Sequence, residues 1–247
     1  MDEKIYIIDF EILEEKNIEE IFYKWVNSRK NTPLGFKEDV KLMEINAHYA
    51  PCYVCDLNVS ADYNIKVQKR HGLRRGVSTL ISKNEEFTTK DYTMFASKIL
   101  HRYDMDQIAP FDFSRMSISG YEKKQGTKES FSQNYEECLQ HYRGAILKKL
   151  EMFINSGLAK VNTKEMKKKF NNINSHEIIK TSSHEVLVPV WVCKYSYKYD
   201  TYYCLINGQN GRFYGRTPNK QFKGKIFIII FITLLLLLGV MYIIYKF

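Results

Sequence analysis

Proline and glycine are scarce in this chain, at 5 and 12 of 247 residues. That excludes collagen-like and low-complexity architectures and, with 45% apolar residues, leaves an ordinary folded chain. Cysteine is scarce and odd in number, so the 5 residues fit a reducing compartment better than a disulfide framework. Catalytic signatures are missing too: there is no G-x-S-x-G, no Gly-rich phosphate cradle and no Rossmann fingerprint. None of His48, His71, His101, His141, His176 and His184 pairs with another at metal-ligand spacing. The N-terminus lacks the basic and then apolar pattern of a secretory signal.

Two further absences shape the C-terminal end. From Arg212 onward there is no acid, and from Ile226 to Tyr245 there is no charge at all. Fifteen of those twenty residues are Leu, Ile, Phe or Val. As a helix the run would span about 30 Å, the thickness of a bilayer core, and its insertion would gain about 5 to 9 kcal/mol. Lys220, Lys223 and Lys225 precede it and only Lys246 follows, so the positive-inside bias predicts a tail-anchored, single-pass membrane protein with a cytoplasmic N-terminal domain.

What is abundant is basic charge. Lys and Arg number 37 against 28 Asp and Glu, a formal +9, and between Arg143 and Asn172 eight basic residues meet two acidic ones. Anionic lipid headgroups are the expected partner for that surface, and nucleic acid is the weaker competitor. The spacing of Asn162 and Glu165 reads as a capping box that opens a short basic helix carrying Lys164, Lys167, Lys168 and Lys169.

Cys52 and Cys55 form a C-x-x-C inside a strand-like run. Zinc would need a second pair, and Cys193 and Cys204 are the only partners near apolar strands, so the cysteines read as small buried hydrophobes, with Cys52 and Cys55 as a weak metal alternative. Adjacent His184 and Glu185 could supply one acid or base at a strand start. Asp56, Asp62, Asp104, Asp106 and Asp112 are carboxylates whose convergence the sequence leaves open.

Ile18, Ile21, Phe22, Trp25 and Val26 recur at helical spacing after a capping box at Asn17–Glu20. Alternation then predicts strands at 40–67, 76–82 and 92–95, and Ser97 as the cap of a helix ending before Pro110. The longest helix is expected from Ser130 to Gly157, with Cys138, Tyr142, Ile146 and Leu150 on its buried face. Strands return at 185–199 and 201–206, and Asn207, Gly208 and Gly211 supply a tight turn before a pairing strand at 212–215. The segment from Ala50 aligns without gaps on that from Val188. Pro51 matches Pro189, Tyr53 matches Trp191 and Cys55 matches Cys193, as in a duplicated hairpin led by proline.

These motifs, in order, resemble a bacterial family described as TFIIB-type zinc-ribbon-containing membrane proteins. The shared segments are Tyr49 to Asp56, Ala96-Ser97-Lys98, Pro110-Phe111-Asp112, Gly120-Tyr121, Val188 to Trp191, and Tyr203 to Gly211 with a hydrophobic tail. The family's N-terminal ribbon has no counterpart here, and Cys52 and Cys55 fall on large apolar positions of its motif. The resemblance implies a non-enzymatic adaptor, associated with SPFH-type membrane-organising or membrane-stress partners.

The expectation is therefore an α+β fold with two related Pro-led antiparallel β units, 38–96 and 184–217, flanking a helical insertion at 129–172. These lie in a domain of residues 1–222, followed by a collar and one transmembrane helix at 223–247. Its function is expected to be a membrane-tethered scaffold or recruitment module with no cofactor, binding a membrane-associated protein or a second copy of itself. The alternatives are a membrane-bound enzyme using buried carboxylates or His184, and a basic nucleic-acid tether.

Overall fold

In the computed structural model the described residues are 4–12, 14–71, 74–118, 126–163 and 166–218. They comprise β1 (Ile5–Ile7), α1 (Glu15–Ser28), α2 (Phe36–Asp39), β2 (Lys41–His71), β3 (Arg74–Phe95), α3 (Arg102–Ile108), β4 (Thr127–Lys128), α4 (Tyr135–Lys160), β5 (Met166–Tyr197), β6 (Asp200–Asn207) and β7 (Phe213–Gly215). The strands form one seven-stranded sheet in the order β3-β2-β5-β6-β7, with β4 beside β2 and β1 beside β5.

This corrects the expected α+β arrangement. Strand makes up 49% and helix 27%, the sheet is mostly antiparallel, and the two Pro-led segments, though α4 lies between them in the chain, belong to one sheet. They lie side by side, with Tyr49 opposite Pro189, Ala50 opposite Val188 and Pro51 opposite Leu187. The aligned residues Ala50 and Val188 thus sit on a local twofold that relates β1-α1-β2-β3 to β4-α4-β5-β6. Matching hydrogen bonds obey it: Ala96 N donates to Pro51 O and Gly208 N to Pro189 O, both at 2.9 Å. Likewise Ile8 N donates to Leu187 O at 3.0 Å and Glu129 N to Tyr49 O at 3.1 Å.

That register explains the prolines. Each was expected at a strand start, yet both lie in mid-strand. The N–H and C=O of a strand residue point to the same side. At Pro51 that side is where parallel β4 gives way to antiparallel β3, and at Pro189 it is where β1 gives way to β6. The partner strand changes there, so a missing donor leaves no ladder bond unmade.

Beyond the twofold, β2, β3 and β5 run on together as a three-stranded ribbon. Along β2, Leu57, Val59, Ala61, Tyr63, Ile65 and Val67 are buried, while the alternate residues face out. Helix α4 covers the buried face. Asn134 and Glu137 close its capping box, four residues later than the expected Ser130 cap, and Gly157 lies within the helix rather than stopping it. Cys138, Tyr142, Ile146, Leu150, Ile154 and Leu158, one per turn, pack on the ribbon. Twenty-six helical residues reach about 39 Å, the length of roughly twelve strand residues, so helix and ribbon match. On the same face of the sheet's other half, α1 packs Phe22 and Trp25 against Tyr195 and Phe213. The opposite face is closed by α3 and the segment after it, through Leu100, Met105, Ile108 and Phe111.

The expected basic helix after Asn162 is a strand instead. The Asn162 side chain accepts from Lys168 N at 2.6 Å and donates to Lys168 O at 3.2 Å, bonding to the β5 backbone rather than capping a helix. Residues 164 and 165 lie outside the described residues.

The membrane assignment is corrected as well. No helix among the described residues is long and apolar enough to cross a membrane. The longest, α4, has Lys148, Lys149 and Glu151 among its residues and only one apolar stripe. The expected span at 226–245 and Lys220, Lys223 and Lys225 lie outside the described residues. The tail-anchored, single-pass placement with a cytoplasmic N-terminal domain thus has no spanning helix among the described residues.

Candidate functional site

On the α3 face of the sheet, β6, β7 and α3 enclose a cleft of about 600 Å³, a size typical of ligand pockets. Leu100, Val192, Cys204 and Leu205 line it, along with Tyr203 and Ile99. The last two leave 60% and 68% of their surfaces to solvent. His101, Asp104, Tyr214 and Arg216 add the polar lining. Arg216 Nη2 donates to Asp104 Oδ1 at 3.3 Å, and Tyr103 meets Tyr214 edge-on with ring centroids 5.8 Å apart. The Arg216 backbone is fixed from below, because Tyr195 OH donates to its carbonyl. Burial pushes the Tyr195 hydroxyl's pKa well up, so it stays a donor.

Two buried polar centres hold the loops around this cleft, and each uses a motif visible in the sequence. At one, the Glu129 carboxylate accepts from Ser97 Oγ at 2.6 Å and from the N–H groups of Lys98 and Ile99 at 2.7 and 3.3 Å. His48 Nε2 lies 3.1 Å from Oε2, the oxygen that also accepts from Ser97. Burial pushes the Glu129 carboxyl up, but the hydrogen bonds from His48, Ser97, Lys98 and Ile99 outweigh it and hold the group below its ordinary value. A serine, a histidine and a carboxylate meet here, yet the carboxylate stands between the other two. No imidazole touches the hydroxyl, so the order needed to activate a serine nucleophile is absent from this cluster. Ser97 Oγ also accepts from Leu100 N at 2.8 Å, which makes it a turn-builder where a helix cap was expected; α3 begins only at Arg102.

At the other centre, Asn207 Nδ2 donates to the carbonyls of Ile108 and Pro110 at 3.0 and 3.1 Å. Its Oδ1 accepts from Gln209 N at 2.9 Å, and Gln209 in turn bonds Asp112 N and O at 2.9 and 3.0 Å. The Asn207 to Gly211 run is therefore a clamp on Pro110-Phe111-Asp112 as well as a turn into β7. Gly211 supplies the positive φ of 73°. Gly208 has a different reason: an added Cβ would lie 2.5 Å from Phe10 and 2.9 Å from Pro189.

The remaining sequence candidates are scattered. Cys52 and Cys55 are buried, and three residues apart in a strand they point to opposite faces, Cys52 into the α3 side and Cys55 under α4. Both thiols are raised by burial, Cys55 to about 12. Cys193 faces Cys204 across β5 and β6 in a separate cluster. Among the described residues no group of three or more His, Cys, Asp or Glu could hold a metal ion. His184 packs edge-on against Tyr6 at 5.2 Å, in an open groove it shares with Glu185, Lys4 and Lys180. Asp62 bonds Asn84 and Ser175 on the ribbon's outer face, Asp112 caps the turn at Phe113–Arg115, and Asp106 accepts from Tyr142 OH. These carboxylates do not converge. Lys167 and Lys169 lie on the ribbon's open face, opposite Gln68 and Lys66, while Lys168 sits opposite Val67 on the α4 side. Pro51 and Pro189 flank the local twofold; Tyr53 donates to Gln133 O at 3.1 Å and Trp191 to Ile12 O at 2.9 Å.

The cleft itself had no sequence signal. Its lining comes from residues 99–101, 104, 192, 201–205, 214 and 216, which only the topology brings together. Fold and site together define a helix-covered, mostly antiparallel sheet with an apolar cleft on its α3 face. No protein-family profile, curated protein or solved structure matches the chain.

Proposed function

We propose that this chain is a non-enzymatic recruitment module that captures a protein partner in the cleft between α3, β6 and β7. The observation that carries the reading is the convergence of Ile99, Tyr203 and Tyr214 on a concave apolar surface whose charged residues, Asp104 and Arg216, already pair with each other. Such a surface gains from burying a partner's apolar side chain, at about 25 cal/mol per Å², and aromatic rims are common at protein contacts. The adaptor role implied by the family resemblance points the same way. An enzyme built on buried carboxylates or His184 has less support, because Glu129 is spent on backbone N–H groups and His184 faces a different groove. Nucleic-acid tethering has less support too, since Lys167, Lys168 and Lys169 divide between two faces.

Affinity purification with the full chain and its Ile99→Asp variant tests the proposal. A protein partner recovered with the wild type and reduced at least tenfold with the variant, at unchanged melting temperature, is the expected result. Equal recovery, or none with either chain, overturns it.

A further inference from the structure

The ribbon has two outer edges, and they differ. On β5, residues 166–183 pair only with β2 among the described residues, and that pairing is interrupted by register shifts between Asp56/Leu57, Asp62/Tyr63 and Asn64/Ile65. Bulges and lysines are the usual means of blunting a free edge, and this stretch has both. The outer edge of β3 is less protected, with a single lysine, Lys83, in residues 78–89. Residues 78–89 stay in unbroken register with β2, from Gln68 opposite Ser78 to Leu57 opposite Thr89, with irregularities only beyond each end. The stretch contains no proline, and Leu80 and Ile81 expose 58% and 43% of their surfaces on it. Among the described residues no strand pairs with its outer side.

We propose that this edge joins two copies of the chain, residues 78–89 pairing antiparallel with the same residues of a second copy and Asn84 on the twofold axis. Antiparallel edge pairing puts the axis perpendicular to the sheet, so facing residues must project to the same side. About Asn84, residue 83 then faces 85, 81 faces 87 and 80 faces 88. On the α4 side this sets Lys83 against Glu85 twice and Ile81 against Phe87 twice. The same strand therefore offers opposite charges to itself and an apolar residue to an apolar residue. Phe153 of α4, half exposed, lies over Phe87 with ring centroids 5.3 Å apart and extends the apolar strip. Glu85 also accepts from Tyr63 OH at 3.4 Å, which holds its carboxylate on that side. A heterologous peptide could use the bare edge, but it would have no reason to match this internal complementarity.

The test uses the full chain in mild detergent, which keeps its apolar C-terminal residues dispersed. Asn84→Cys is expected to form a disulfide-linked dimer under mild oxidation, because paired Cα atoms across antiparallel strands lie about 4.5–5.5 Å apart. Leu80→Cys is expected not to, because its counterpart in the second copy lies about 26 Å away along the edge. The native cysteines are all buried and do not compete. Lys83→Glu should weaken the uncross-linked dimer at least tenfold, and adding Glu85→Lys in the same chain should restore it. Absence of the Asn84→Cys cross-link, equal cross-linking at position 80, failure of the charge swap to restore association, or a monomer at about 100 µM each overturn the proposal.

Discussion

Asn207 shows how much one side chain carries in this molecule. Fully buried, it donates to two carbonyls of the 108–110 segment and accepts from its own turn, so it ties the wall of the cleft to β6. Asn207→Ala removes the donor to the Ile108 carbonyl and the acceptor of the Gln209 N–H, while the Pro110 carbonyl keeps its bond from Asn210 Nδ2. A loss of about 3 kcal/mol in chemical denaturation is expected, against a far smaller change for Asn210→Ala at the exposed end of the same turn. Glu129 makes a prediction about pH. Its folded carboxyl is held below its ordinary value, so its contribution is fully present above the unfolded value of about 4.3 and is lost as pH falls through the folded one. The stability difference between wild type and Glu129→Gln, followed by denaturant melts, should therefore shrink as pH falls below about 5. A difference that grew on acidification would contradict the assignment. The Asn207 run and the Ser97 segment were visible as motifs in the sequence, whereas Glu129 was not singled out there. The partners of these motifs were not visible, because Asn207 and Pro110 are far apart in the chain and no periodicity links them.

Elements differ in legibility for physical reasons. Helix α1 could be read from Ile18, Phe22, Trp25 and Val26, since an amphipathic helix writes its buried face into local spacing. The alternation in β2 was equally plain, and with it the buried set from Leu57 to Val67. What spacing cannot state is which strand lies alongside, and so β2 and β5 read as separate units when they are neighbours. The lysine run at 167–169 misleads in another way: lysine tolerates helices, and the Asn162 motif looks like a cap until its side chain is seen bonding Lys168. The helix α4 prediction rests on its fit to the ribbon. Ile146→Ala, at a fully buried position midway along the helix, should cost about 2–5 kcal/mol. Asn134→Ala, which removes only the cap, should cost about 1 kcal/mol. Similar costs for the two in equilibrium unfolding would mean that α4 does not lie against the ribbon.

At the scale of the whole molecule, two βαββ units meet about Ala50 and Val188, and their differences make the site. In one, β3 runs on as the ribbon's outer strand. In the other, β6 is short and turns through Asn207 to Gly211 into β7, which leaves the cleft open beside α3. The capture of a protein partner there is the central claim, and a photo-crosslinking amino acid tests it at a single position. Placed at Tyr203, it should yield one discrete cross-linked protein, lost when Ile99→Asp is introduced. At Tyr199, fully exposed but outside the cleft's lining, it should yield no such product. The same products from both positions, or none from Tyr203, would contradict the account.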